Sequence, residues 1–162
     1  MKRLTDLNEG VRRFYERIEP LVETPKLGPV LWQLPPNFHR NDQRLEAALE
    51  VLPSGRHAFE FRHPSWFAEE VYALLRAHGA ALVIADRPEV RRFQAHELTA
   101  DFTYVRFHHG GGDGSYSHRR LGAWARRIED WRRERDVYAY FNNDWAGYAV
   151  ENGLWLEHRL SR

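Results

Sequence analysis

His57-Ala58-Phe59-Glu60-Phe61-Arg62, followed by His63-Pro64, is the stretch from which the fold is read. Phe59 and Phe61 fall on one side of an extended chain, and Ala58, Glu60 and Arg62 fall on the other. That period of two predicts a strand, and Pro64 ends it. The phenylalanine side suits a cover of helices. The opposite side carries two successive charges, which are costly to bury unless they are paired or functional.

Working outward, the neighbouring segments alternate in period. Toward the N-terminus, Leu45, Ala48, Leu49 and Leu52 have helical spacing, closed by Pro53-Ser54-Gly55. Before them stands the apolar strand Val30-Leu31-Trp32-Gln33-Leu34, stopped by Pro35-Pro36. Leu4, Leu7, Val11, Phe14, Ile18 and Leu21 mark an amphipathic helix over 4–22. Toward the C-terminus, a helix over 67–78 is capped by Gly79, and Ala80–Ala85 forms a strand ending in Asp86. A strand over 102–108, the Gly110–Gly114 loop and a helix with Leu121, Trp124, Ile128 and Trp131 follow. Val137–Phe141 is a fifth strand, and 144–160 a last helix.

Strands and helices that alternate every roughly 25–30 residues predict parallel βαβ units, an α/β fold. Five such units suit either a doubly wound sheet or part of a closed barrel. No GxGxxG follows a strand and no Walker sequence is present, so a nucleotide-binding open sheet has no positive support.

At 162 residues the chain is of single-domain length, and 43% hydrophobic and 14% aromatic residues suffice for a core. It has no cysteine, which removes disulfides, thiolate metal sites and cysteine nucleophiles, and suits a reducing compartment. No apolar run reaches the ~20 residues of a membrane span, and the basic start lacks a signal-like apolar stretch. A cytoplasmic protein that does not engage membranes is the expectation. The net charge of +1 argues against nucleic acid as a partner held by bulk charge. The 22 Arg against 2 Lys read as compositional bias rather than as an anion-binding surface.

Polar residues gather at the carboxyl end of each strand: Gln33; Glu60, Arg62 and His63; Asp86; Arg106 and His108; Asn142 and Asn143. Ligands of parallel α/β folds bind at those ends. Tyr104, Arg106 and His108 share one face, opposite Val105 and Phe107. Two readings stay open. These side chains line a site, or Glu60, Arg62, Asp86 and Arg106 form a structural layer of ion pairs. A metal set could be drawn from His63, Asp86, His108 and Glu60, but no HExxH or HxH spacing supports it, and no metal is expected. No GxSxG elbow is present. The Gly110–Gly114 loop reads as a surface turn, with a phosphate cradle as the alternative.

At these residues the chain resembles the YecE-like family, also called domain of unknown function 72. The resemblance rests on Leu27–Pro36, Glu60–Trp66, Asp86, Tyr104–His108, Tyr116 and Tyr140–Asp144, in family order over essentially the whole chain. It implies a TIM-type barrel and supplies no reaction. Two departures stand out. His109 intervenes before Gly110, where the family places glycine directly after the histidine. The first three βα units are missing, so residues 1–24 resemble the third helix and the strands correspond to four through eight. The expectation is therefore a partial barrel of the last five βα units, with either upstream sequence or self-association across the missing wedge.

The site expected from this reading takes a small anionic ligand; its cofactor is unknown. Arg62 and Arg106 would hold oxyanions, and Glu60 or Asp86 would act as acid or base. His63 and His108 would move protons, with Gln33, Tyr116, Asn142 and Asn143 as binding partners. The alternatives are metal-assisted phosphodiester hydrolysis, by analogy with other barrels, and a non-catalytic module for a ligand or nucleic acid.

Overall fold

A computed structural model describes residues 4, 7–22, 24–87 and 96–161. Its elements run α1 (Leu7–Val22), β1 (Val30–Gln33), α2 (Asp42–Glu50), β2 (His57–Glu60), a 3-10 turn (Pro64–Trp66), α3 (Glu69–Ala77), β3 (Ala81–Asp86), β4 (Phe102–Phe107), α4 (His118–Trp131), β5 (Asp136–Phe141) and α5 (Tyr148–Leu160). The strands form one parallel sheet in the order β1-β2-β3-β4-β5. Helices α2, α3 and α4 carry the chain back between β1 and β2, β2 and β3, and β4 and β5, which is how parallel neighbours are joined.

Strand alternation sorts the core into two layers. On the helical side, Trp32, Phe59, Phe61 and Leu82 pack with Leu45, Leu49, Trp66, Val71 and Leu75. Further along, Ile84, Val105 and Phe107 pack with Leu121, Trp124, Ile128 and Leu156. On the concave side, Ala58, Ala81, Val83, Ala85, Phe102 and Tyr104 form a third cluster. Three of these six are alanine, which lets a curled sheet close up on its inner face. The curl is visible in side chains that cross it. Arg56, just before β2, bonds Asp136 and Tyr138 of β5 at 2.6 and 2.7 Å. Arg106 of β4 bonds Gln33 of β1 at 3.0 Å, strands that a flat sheet would hold about 14 Å apart.

The boundaries differ modestly from the expected ones. β2 stops at Glu60, whose carbonyl accepts from Leu34 N–H as the last rung of that ladder. Arg62 therefore stands on the segment beyond the strand. The last helix begins at Tyr148 because Gly147 turns the chain in the left-handed region, φ 77°. Asn41 and Ser117 cap α2 and α4 by accepting from the N–H of Arg44 and Arg120. No helix among the described residues is long and apolar enough to cross a membrane.

Candidate functional site

Glu60 closes β2 in a position that has no exposed surface, and both its oxygens are held by guanidinium groups. Arg62 Nε donates to Glu60 Oε1 at 2.9 Å, and Arg106 Nη1 makes a short contact with Oε2. The arginines also share Gln33 Oε1: Arg62 Nη2 donates to it at 2.6 Å and Arg106 Nη1 at 3.0 Å. Arg106 Nε reaches Asn142 Oδ1 at 3.1 Å. Register explains the convergence. Gln33 is level with Glu60, and Arg106 is level with Ala85 on one side and Tyr140 on the other. Ala85 is small enough to let Arg106 pass over β3 to Glu60.

His108 stands beside this group with Nε2 3.8 Å from Glu60 Oε1. That nitrogen is buried and has no hydrogen-bond partner. Burial holds the imidazole well below its usual range, at about 4; Glu60 opposes the shift, while Arg106, Arg87 and Arg62 reinforce it. Next to Arg106 the rings of Tyr104 and Tyr140 stack with centroids 4.8 Å apart. Burial, and then the neighbouring Tyr140, push the Tyr104 phenol up to about 12.

The expected set is thus divided. Gln33, Glu60, Arg62, Arg106, His108 and Asn142 come together at the strand carboxyl ends. Asp86 does not join them, which corrects the expected convergence. With Leu82 and Ile84 it faces the helices, where Arg120 Nη2 bonds its two oxygens at 2.7 and 2.9 Å and Trp124 Nε1 bonds Oδ2 at 3.1 Å. The alternation that placed Glu60 inward, applied to Ala81, Val83 and Ala85, turns Asp86 outward. Tyr116 lies on that outer side too, its ring edge against Phe107 and its hydroxyl on the Asp86 carbonyl at 3.3 Å.

His63 caps the 3-10 turn, its Nδ1 accepting from Ser65 N–H at 3.2 Å, and its ring lies tilted against that of His39 with centroids 3.9 Å apart. Asn143 is buried and donates to the Gly114 carbonyl and Asn152 Oδ1 at 3.1 and 3.0 Å. Of His63, Asp86, His108 and Glu60, only His108 and Glu60 are neighbours, and among the described residues no three His, Asp or Glu side chains group to hold an ion. In the glycine loop, Gly110 N–H bonds the Gly114 carbonyl, Gly114 N–H that of Gly111, and Gly111 N–H the His109 ring. Those amides serve the turn and do not form a phosphate cradle. Tyr140 and Ala85 are site-lining residues that strand-end reading passed over; their register with Arg106 is the signal that finds them.

At the opposite, N-terminal ends of the strands a cavity of about 450 Å³ is bordered by Tyr15, Gly28, Arg56 and Tyr138. Its arginine is paired with Asp136 and lies over the Phe102 and Tyr138 rings. That end of such a sheet serves stability more often than chemistry.

A curled parallel sheet with helices outside and an Arg–Glu–His cluster at its carboxyl ends defines a half-barrel α/β protein. The chain belongs to the family described as "Protein of unknown function DUF72", whose model matches residues 1–162. It is 25% identical over 169 residues to the UPF0759 protein YunF of Bacillus subtilis, covering 86% of this chain and 60% of that protein. A crystal structure of a DUF72 family protein of Thermotoga maritima, TM1631, superposes with a TM-score of 0.87 at 31% identity, over 98% of this chain and 67% of that one. The DUF72 protein EF0366 of Enterococcus faecalis shares the fold, with a TM-score of 0.84 at 21% identity, over 98% and 67% of the two chains.

Proposed function

We propose that the cluster at the strand carboxyl ends is a site for a small oxyanion ligand, equipped for proton transfer. The observation that carries this is the convergence of two partly accessible guanidiniums, Arg62 and Arg106, on one fully buried carboxylate. Arginine forks suit carboxylate and phosphate oxygens. In this reading Arg62 and Arg106 hold the anion, Gln33 and Asn142 orient it, and Glu60 and His108 handle protons. Tyr104 and Tyr140 form an aromatic wall for the rest of the ligand. The strands are read as the family's fourth to eighth, and the setting as cytoplasmic.

A second reading has its own observation: both guanidiniums are already bonded to Glu60 and Gln33. The group would then be a structural ion-pair layer with no ligand. Thermal unfolding with a panel of sulfate, phosphate and carboxylates separates the two. An oxyanion site raises Tm in a saturable way, and the Arg62→Ala, Arg106→Ala double variant loses the response. An unchanged response in that variant, or none in the natural protein, leaves only the structural layer. Metal-assisted phosphodiester hydrolysis gains no support from the positions of His63 and Asp86.

A further inference from the structure

We propose that anion binding at Arg62 and Arg106 is coupled to the uptake of one proton from solvent, taken by His108 Nε2 and shared with Glu60 Oε1. The proposal rests on the oxyanion reading above and adds the protonation state in which the site works. Arg87 acts on His108 from the end of β3; the group bonded through Glu60 itself holds one carboxylate and two guanidiniums, which leaves one positive charge over. A monoanion cancels it, and a dianion leaves a net negative charge beside a carboxylate that has no contact with water.

The ligand also competes for the same N–H groups. Arg106 Nη1 is divided between Gln33 and Glu60, and Arg62 spends Nε on Glu60 and Nη2 on Gln33. Donors drawn toward an arriving anion leave Glu60 less compensated, and a buried carboxylate that loses its partners gains affinity for a proton.

The acceptor for that proton is in place. His108 Nε2 is a buried nitrogen without a hydrogen-bond partner, and at 3.8 Å from Oε1 a small turn of either side chain makes a hydrogen bond. The charges acting on the imidazole are Glu60 from β2, Arg62 from the segment after it, Arg87 from the end of β3 and Arg106 from β4 itself. Only Glu60 favours protonation. An anion on Arg62 and Arg106 offsets two of the three opposing charges and leaves the Glu60 attraction standing. Tyr104, on the same face of β4, stays neutral throughout, its phenol pushed up to about 12.

Calorimetric titration with inorganic sulfate tests this, since sulfate carries no titrating proton near neutral pH. Run in buffers of different ionisation enthalpy, the observed heat gives the protons taken up per anion bound. Uptake approaching one is expected, with sulfate affinity falling about tenfold per pH unit on the alkaline side. The His108→Gln protein should bind sulfate with no uptake and a flat pH profile. Sulfate binding with no proton uptake and a flat profile in the natural protein overturns the coupling while leaving the oxyanion site standing. Equal uptake in His108→Gln overturns the assignment to His108. Failure of the natural protein to bind sulfate at all overturns the oxyanion reading and the coupling together.

Discussion

Glu60 shows how a single residue is made affordable in the interior. Its side chain is fully buried, while Arg62 and Arg106 retain 21% and 13% of their exposure, so the pair energies are partly screened. Removing one partner of a buried ion pair costs about 3–5 kcal/mol because the other charge is stranded. His108 supplies a prediction with a definite sign. Its folded-state value of about 4 lies below the ordinary 6.5, so the unfolded chain binds more protons between those limits. Its contribution to stability is full above the unfolded value and is lost as pH falls from there through about 4. The loss is of the order of 3 kcal/mol, at about 1.4 kcal/mol per unit. Urea midpoints measured across that window should fall with pH in the natural protein. The slope should flatten in His108→Gln, and an unchanged slope would show that another group governs acid stability.

At the scale of elements, Asp86 joins β3 to α4. It accepts from Arg120 and from the Trp124 indole, and Arg120 also reaches the Gly110 carbonyl and lies over the Tyr116 ring. Asp86→Asn keeps the shape but loses the charge, and is expected to destabilise by about 1–3 kcal/mol, as charge-assisted hydrogen bonds weaken. The anion-induced rise in Tm should persist in this variant, because Asp86 faces the helices. Loss of the response without loss of folding would return Asp86 to the site. A glycine offers a parallel test on the neighbouring loop. A Cβ on Gly110 would lie 1.9 Å from the Ser115 carbonyl oxygen, so Gly110→Ala must displace backbone. It should lower Tm by several degrees, read by thermal unfolding.

For the whole molecule, the outer strands decide behaviour in solution. Among the described residues β1 and β5 each have a strand neighbour on one side only. Open parallel edges offer unpaired N–H and C=O groups to another chain. On the β5 side, Trp145, Val150 and Leu154 are more than half exposed, and Tyr140 is 42% exposed beside Tyr104. Taken by itself, the 162-residue chain is expected to self-associate through this side. Light scattering should give a mass above the monomer, and Val150→Glu with Leu154→Glu should return it to monomer. A monodisperse natural monomer would sink the prediction. The chain spans 60% of the length of YunF, so the partners of the longer relatives are a separate matter.

The amino-acid sequence by itself determined the elements and the inward face of two strands. Period-two stretches such as Phe59–Phe61 and Val105–Phe107 have their apolar side set by chain geometry, and the helices between β1 and β2, β2 and β3, and β4 and β5 bring those pairs together parallel. The same periodicity could have placed Asp86 outward, since Ala81, Val83 and Ala85 hold the inner positions. What only the tertiary structure decided is which strand-end residues meet. Gln33, Glu60 and Arg106 are brought together by sheet register and curl, across a gap that Ala85 leaves open. His63 and Asn143 stand equally near strand ends in sequence, yet His63 Nδ1 is bonded to Ser65 within its own turn and the Asn143 amide nitrogen to Gly114 and Asn152. Contacts across a curled sheet depend on distances between residues far apart in the chain, and local periodicity does not encode them.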